Sequence, residues 1–354
     1  MKTLLIMSIY NLNNKIIKRF HFDKINKKNI RLKYINVNKI LYDKNKLKKM
    51  IVGLKKIDYC IPLINLNEFE VFKQLKKCKI KTIYVGHNSQ PNSSLNLIHL
   101  LNRILRVKKY PIYFKNVINY ILLKFQKKYY PDFMILNQPK NKYVNNKIIN
   151  AHTLDYETYL RNRKKSKPNF IPKGNYLVFL ADTPWGGQDF KLLNFNPISK
   201  KKYKDFLNKF FSNLEQKLNY KIIISAHPRQ TKLDNIFHPR KIISDDTEQL
   251  IKYSKGLICH FSGAISYAIL NSKPICFFYQ KDWKDNDYFS YNISRYQSAL
   301  NTKFNLLDDQ CNCEKLKFFY DKKIYNLYIK KYLSYNKNNK FMYWDEIIKQ
   351  VEAS

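Results

Sequence analysis

Two groups of polar residues in the second half of the chain have the types and the spacing to bind an anion. The apolar stretch Lys221–Ser225 is followed by Ala226-His227-Pro228-Arg229, and the stretch Gly256–Phe261 is followed by a Ser-Gly sequence that enters a helix. Short apolar stretches of this kind are typical of buried parallel β-strands. Ligands of such sheets bind outside the carboxyl ends of the strands. We therefore expect both groups to lie at one ligand-binding edge.

Each of these residues has a chemical use at such an edge. Ser262 could cap the following helix, with its hydroxyl and the next backbone N–H groups at the positive helix end. Gly263 would let a phosphate approach the backbone, while His227 and Arg229 could reach in from the neighbouring strand end. Taken singly, a His-Pro-Arg sequence can be a turn and a Ser-Gly sequence can be only a cap. The second His-Pro-Arg sequence, 238–240, follows no strong strand and is interpreted as a loop.

The two elements resemble motifs of bacterial sialyltransferases and of related capsule and lipooligosaccharide glycosyltransferases. Those enzymes have two Rossmann-like domains (the GT-B fold), with a His-Pro motif after one strand and a serine motif before a later helix. The resemblance covers residues 175–280, and CDP-glycerol-type polymerases share it. It implies that His227 stabilises the departing nucleotide phosphate, that Ser262 contacts the donor phosphate, and that Glu248 lies where relatives hold the ribose or base. The donor-binding residues expected on this basis are His227, Pro228, Arg229, Glu248, Ser262, Gly263, Ala264 and Ser266.

The general base is less clearly marked. Sialyltransferases place an acidic pair and a glycine after a strand of the first domain, whereas here the strand 82–85 is followed by Gly86-His87-Asn88. His87 could serve as the base or be hydrogen-bonded in a loop. Asp155 could be a base or the cap of the following helix, and we favour the cap. Asp182, in a sequence with paired glycines and an exposed-looking Trp185, could be a base or a turn residue. The candidate catalytic residues are therefore His87, Asp155, Asp182 and His227.

The elements that must position these residues alternate between strand-like and helix-like stretches in both halves of the chain. At 354 residues the chain is long enough for two domains. We predict an α/β protein with two Rossmann-like domains facing a cleft (GT-B type). The domains are expected at 1–165, which would bind the acceptor, and 175–335, which would bind the donor; the remaining helix, 336–354, could pack back on the first domain.

Some finer predictions follow from local pattern. Helices are expected at 95–107, 114–127, 202–218 and 315–333, among others. Phe277 and Phe278 are expected in the core, whereas Trp283 and Tyr288 could line an acceptor site. The Lys-rich stretches 108–128 and 315–331 could dock on an anionic leaflet, although we favour a solvated basic face.

The net charge of +40 favours anionic partners. Lysine is abundant together with Asn, Ile and Tyr, so part of this charge reflects the residue usage of an AT-rich genome. The expected partners are a nucleotide-sugar donor and a glycan or lipid-linked glycan acceptor, with peripheral contact to an anionic membrane left open. No nucleic acid is expected, because zinc-finger spacing, RNP-like aromatic motifs and a compact basic arm are absent from the sequence.

Other classes are disfavoured by residue type and spacing. The apolar stretch Leu4–Tyr10 reads as a buried strand, and no run approaches the roughly 20 apolar residues of a membrane span, so we expect a cytoplasmic protein. The six cysteines are expected to be buried reduced thiols, and Cys311-x-Cys313 lacks zinc-site spacing. No DxD-like sequence follows a strand. We therefore expect neither a metal nor a cofactor, apart from the nucleotide-sugar substrate.

These observations lead to one expected activity. It is an inverting, metal-independent glycosyltransferase that moves a sugar to a surface-glycan acceptor, and by resemblance a CMP-linked acidic sugar is the first donor to consider. Two alternatives stay open: a polyol-phosphate (CDP-glycerol-type) transferase, and a non-enzymatic basic binder of nucleic acid or acidic polymer.

Overall fold

The described residues of the chain form two compact units. The computed structural model describes residues 1–27, 30–40, 43–63, 69–85, 91, 129–137, 147–186, 197–226, 236–244, 246–283, 286–335 and 341–353. The first unit draws its described residues from Met1–His87, Arg103–Glu157 and Ser334–Ser354, and the second from Asn88–Asn102 and Thr158–Leu333. The chain passes from the first unit to the second inside one helix, Leu154–Asn162.

The first unit contains a six-stranded sheet in which every described pairing is parallel. Its order is β2-β1-β3-β4-β5-β6. The strands are β1 (Lys2–Ser8), β2 (Ile30–Asn36), β3 (Tyr59–Leu63), β4 (Lys81–Val85), β5 (Phe133–Leu136) and β6 (Lys147–Asn150). The described α-helices of this unit are α1 (Asn14–Phe20), α2 (Lys44–Val52), α3 (Phe69–Lys77), the start of α4 (Leu154–Asn162) and, from the end of the chain, α10 (Tyr343–Ala353), and a 3₁₀ helix spans Phe22–Lys27.

Both faces of this sheet are covered, as the alternation of side chains along a strand requires. In β1, Leu4 and Ile6 pack into a cluster that includes Trp344 of α10. Leu5 and Met7 point to the opposite face and pack with residues of α2 and α3. Burying each of these side chains contributes roughly 1.5–3 kcal/mol. The final helix of the chain is therefore part of the core of the first unit.

Buried polar side chains secure the chain segments of the first unit. Glu157 is fully buried on α4 and accepts the backbone N–H of Tyr343. Its other oxygen lies 3.4 Å from Nδ1 of His21, at the end of α1. His152, also fully buried, accepts the backbone N–H of Tyr335 at 3.0 Å. These contacts hold the backbone at Tyr335 and at Tyr343 against the segment that contains His152 and Glu157.

The second unit contains another six-stranded parallel sheet, in the order β12-β11-β10-β7-β8-β9. The strands are β7 (Tyr176–Leu180), β8 (Lys221–Ser225), β9 (Ile242–Ile243), β10 (Gly256–Cys259), β11 (Ile275–Gln280) and β12 (Asn305–Leu307). Its helices are α5 (Lys200–Leu218), α6 (Thr247–Lys252), α7 (Ile265–Leu270), α8 (Asp287–Leu300) and α9 (Lys322–Tyr328), which continues as a π-helical turn, Ile329–Leu333. Two such sheets confirm the predicted α/β fold class.

The longest helix, α5, packs through an aromatic stripe. Its buried residues recur with the spacing of one helical face: Tyr203, Phe206, Leu207, Phe210, Phe211 and Leu214. The ring of Phe211 lies 4.9 Å from that of Phe179 on β7, and the ring of Phe210 lies 4.5 Å from that of Phe278 on β11. The helix thereby covers the central strands of the sheet.

The structure corrects several of the local predictions. The helix expected at 315–333 begins only at Lys322, because residues 315–321 include an isolated antiparallel bridge from Phe319 to Ile275. Helices α1 and α8 and strand β12 were not predicted. The helices expected at 95–107 and 114–127 lie outside the described residues. Among the helices that are described, none has both the length and the apolar character that crossing a bilayer requires.

Candidate functional site

The strand order of the second sheet identifies where a ligand would bind. The chain runs outwards from β7 through β8 to β9, and then returns to β10 on the other side of β7 before continuing to β11 and β12. This is the 3-2-1-4-5-6 order of dinucleotide-binding folds, in which ligands bind outside the carboxyl ends of the two central strands. We call the residues that follow these strands, 181–186 after β7 and 260–266 after β10, the switch-point edge.

The first part of the switch-point edge is a tight turn after β7. Oδ1 of the half-buried Asp182 accepts the backbone N–H of Thr183 at 2.8 Å, and the N–H of Gly186 donates to the carbonyl of Thr183 at 3.2 Å. Gly186 has a φ of 147°, a backbone angle that residues other than glycine rarely adopt. Trp185, expected to be exposed, is half-buried, with its ring 5.3 Å from that of Tyr203. The turn is therefore anchored on α5.

The second part of the switch-point edge follows β10. Helix α7 begins at Ile265, one residue later than predicted, and its first turn has no side-chain cap. The hydroxyl oxygen of Ser262 instead accepts the N–H of Ala264 at 3.2 Å. Among the described residues, neither the hydroxyl hydrogen of Ser262 nor the N–H of Gly263 has an acceptor, and both residues are partly exposed. Two adjacent donor groups are thus available to an anion.

Other groups of this turn form hydrogen bonds within the second unit. The carbonyl of Ser262 accepts the Tyr296 hydroxyl at 2.7 Å, which fixes the turn against α8. The Ser266 hydroxyl, expected to bind the donor, is fully buried and donates to the carbonyl of Gly263 at 2.9 Å. Because α7 is only six residues long, individual N–H groups rather than a long helix dipole would attract a phosphate here.

A buried histidine–tyrosine pair joins the switch-point edge to α5. Nδ1 of His260 is 2.8 Å from the carbonyl oxygen of Phe278, and since a carbonyl can only accept, Nδ1 carries the proton. Nε2 therefore accepts the hydroxyl of Tyr203, at 3.1 Å. Burial lowers the pKa of His260 to about 4, although the bond to Phe278 opposes the change. Burial, and secondarily the charge of Asp182, raises the pKa of Tyr203. Both side chains are neutral near pH 7.

Aromatic rings enclose this pair. The ring of Trp283 lies 5.6 Å from that of His260 and 5.3 Å from that of Tyr203. Trp283 is buried among them, so the idea that it lines an acceptor site is wrong; the side chain of Tyr288 is not among those described. His260 and Tyr203 were not among the predicted site residues. A single histidine inside the apolar stretch Gly256–Phe261 was the available signal.

Glu248 is engaged by neighbouring amides. It is buried, and its carboxylate accepts the side-chain N–H groups of Asn162 at 2.8 Å, Gln249 at 2.7 Å and Asn271 at 3.1 Å. Among the described residues, the side-chain oxygen of Gln249 has no partner. Both oxygens of Glu248 thus accept amide donors of the second unit, and the carboxylate is held in a buried position.

The other predicted site residues divide into two groups. Asp155 lies in the first turn of α4, but the cap of that turn is Thr153, whose hydroxyl accepts the N–H of Tyr156 at 3.3 Å; the preference for Asp155 as the cap is therefore wrong. The residues that lie outside the described part of the chain are His87, His227, Pro228 and Arg229. In the chain, His227 directly follows Ala226, a buried residue at the end of β8 whose N–H donates to Ile243 at 2.9 Å.

The cysteines are consistent with buried thiols. All six are free, and all except the half-buried Cys78 are buried. Burial raises the pKa of Cys259 and Cys276, and that of Cys311 to about 11, so these thiols are protonated near pH 7. Within the described ranges, no three His, Cys, Asp or Glu side chains are grouped as metal ligands would be.

Comparison with known proteins gives a fold but no family. No protein-family model matches the chain, and no curated protein sequence matches it. Among solved structures, a UDP-GlcNAc 2-epimerase from Methanocaldococcus jannaschii, in complex with UDP-GlcNAc and UDP, is 14% identical with a TM-score of 0.51, and the match covers 100% of both chains. An S. aureus MnaA–UDP co-structure is 11% identical with a TM-score of 0.51, over 99% of this chain and 95% of that one.

A third similar structure is the glycosyltransferase SnogD from Streptomyces nogalater. It is 10% identical with a TM-score of 0.50, and the match covers 100% of this chain and 99% of that one. At these identities the likenesses concern the fold. They agree with the two parallel sheets described above, and the chain has the GT-B fold of two Rossmann-like domains.

Proposed function

We propose that this chain is a nucleotide-sugar-dependent glycosyltransferase that binds the donor phosphate at the switch-point edge. The observation that carries the proposal is the pair of available donors, the Ser262 hydroxyl and the Gly263 N–H, at the end of one of the two central strands. Strands β7 and β10 are paired, so Asp182 and Ser262 follow adjacent strands of the sheet. Neighbouring strands lie about 4.8 Å apart. Such an arrangement suits a phosphorylated ligand.

The sequence around β8 supports the same location. β8 is paired with β7 on the side opposite β10, and His227-Pro228-Arg229 follows its end in the chain, after Ala226. Cationic and hydrogen-bonding side chains at this position would add to the donors at Ser262. The net charge of +40 further favours a phosphorylated substrate.

The proposed reaction is a single displacement with inversion. Asp182 removes the proton of an acceptor hydroxyl, the acceptor oxygen forms a bond to the anomeric carbon, and the bond from that carbon to the nucleotide phosphate breaks. The negative charge left on the phosphate is offset by His227, Arg229 and the donors at Ser262 and Gly263. His87 and Asp155 are the alternative bases. No step of this scheme requires a metal.

Three classes of donor would fit the proposed phosphate contacts. The sialyltransferase-like motifs favour a CMP-linked acidic sugar, whereas two of the similar solved structures contain UDP. A CDP-linked polyol phosphate would use the same phosphate contacts. The acceptor is proposed to be a glycan or a lipid-linked glycan.

The test is titration calorimetry of the full chain with CMP, CDP, UDP and GDP. We expect one nucleotide to bind, and Ser262→Ala to weaken that binding at least tenfold, because a hydrogen bond to a charged group contributes about 1.5–3 kcal/mol. Ser298→Ala, on the exposed surface of α8, is the matched control and should bind as the wild type does. A folded protein that binds no nucleotide, or two variants that behave alike, would contradict the proposal.

A further inference from the structure

The segment formed by α9 and its π-helical continuation is uniformly basic. Its 12 residues, Lys322–Leu333, include four lysines and no acidic residue. The carboxylate immediately before it, that of Asp321, is already used as the helix cap and accepts the N–H of Ile324 at 2.9 Å. The positive charge of the segment is therefore not neutralised by acidic residues of the same helix.

One side of this segment is firmly attached to the second unit. Tyr325, Tyr328 and Leu333 are buried. The Tyr325 hydroxyl donates to the carbonyl oxygens of Lys273 at 2.9 Å and Phe319 at 3.1 Å. The helix is thus held in a fixed orientation, and its other side stays at the surface.

That outer side combines lysines with a large exposed leucine, and we call it the basic face. It consists of Lys322, Lys323, Leu327 and Lys330, all exposed. Leu327 is 59% exposed, and Lys323 and Lys330 lie four residues before and three residues after it, which places them beside it on the helix surface. Tyr320, 48% exposed, packs edge-on against Tyr325 at the start of the helix.

We propose that the basic face docks on the surface of an anionic lipid bilayer. Lysines would contact the lipid phosphates while their aliphatic stems and Leu327 enter the boundary between head groups and acyl chains. A soluble polyanion would engage the lysines but gives no reason for an exposed leucine between them. Each lysine near an anionic leaflet raises the affinity about fivefold. This inference does not depend on the proposed enzymatic activity.

The first test is co-sedimentation with vesicles of phosphatidylcholine alone and with vesicles containing equal parts of phosphatidylcholine and phosphatidylglycerol. The chain should bind only the anionic vesicles, and Lys323→Glu/Lys330→Glu should lower the affinity at least tenfold. Because a charge of +40 attracts any anionic surface, the control is a double reversal elsewhere: Lys201→Glu/Lys202→Glu, at exposed positions on α5. An equal loss in both variants would overturn the proposal.

The second test examines insertion directly. Leu327→Trp should be quenched by lipids brominated on their acyl chains, whereas Val52→Trp, at a 61% exposed site in the first unit, should not. Leu327→Asn should lower the affinity for anionic vesicles severalfold, with circular dichroism showing that the fold is kept. If Leu327→Trp is not quenched, or if Leu327→Asn binds the vesicles as the wild type does, the proposal is wrong. The basic face would then be a surface for soluble polyanions.

Discussion

The two parallel sheets of this protein use the polar residues beyond their strands in opposite ways. In the first unit, Glu157 and His152 are fully buried and accept the backbone N–H groups of Tyr343 and Tyr335, respectively. In the second unit, Asp182 and Ser262 follow the two central strands and stay partly exposed. A polar residue after a parallel strand is therefore a better candidate for ligand chemistry where it stays partly exposed than where it is buried against another segment of the chain.

Of the substitutions that test this difference between the two units, Asp182→Asn in the second unit should have the largest effect, and the effect should be on turnover. Asp182→Asn removes the proposed base, and turnover of the donor found in the nucleotide screen should fall by about 10²–10⁴-fold. Nucleotide affinity and the free energy of unfolding should change little. Asp205→Asn, at an exposed position on α5, is the control. If turnover is unaffected, the base must be sought at His87 or Asp155.

A substitution of Glu157 in the first unit should instead lower the stability of the fold. Glu157→Ala leaves the Tyr343 N–H and His21 without their buried acceptor, and removing one partner of such a network costs about 3–5 kcal/mol of the free energy of unfolding. Chemical denaturation followed by circular dichroism measures this loss. Glu352→Ala, exposed on α10, should have almost no effect. A loss of nucleotide affinity without a loss of stability would contradict the structural role of Glu157.

The smallest of these effects is the dependence of the free energy of unfolding on acidic pH that results from His260. Its pKa of about 4 in the folded chain is below the ordinary value of 6.5, so the unfolded chain binds the proton more readily. Stability is therefore complete above about pH 6.5 and decreases as the pH falls towards 4, by on the order of 3 kcal/mol. His260→Phe should flatten this part of the stability profile, measured by chemical denaturation at a series of pH values. A profile unaltered by His260→Phe would contradict the assignment.

Much of the fold could be predicted because it depends on local pattern. A run such as 221–225 has isoleucines at its centre. It can bury these side chains and also form all its backbone hydrogen bonds as an inner strand of a parallel sheet. The stripe of α5 has a clear helical period. Helix α8 was missed because its residues 287–300 alternate polar and aromatic types, and β12 was missed because three residues carry too little pattern.

The candidate site was only partly predictable for a different reason. Ser262 and Gly263 are adjacent in sequence, so their turn could be inferred. The pairing of His260 with Tyr203 joins residues 57 positions apart and depends on how α5 lies on the sheet. Likewise, the burial of Trp283 is set by rings of the same cluster, which no local spacing reveals.

The place of α10 in the first core has a consequence for how the protein is made. A ribosome releases the strands of the first unit early, yet Trp344, Ile347 and Val351, which complete their packing, come last. At roughly 5–20 residues per second, synthesis of the second unit takes on the order of ten seconds. Throughout that time this face of the first sheet is covered only by early residues such as Ile16 and Phe22. The unit that is translated first therefore completes its packing only after the second unit has been synthesised.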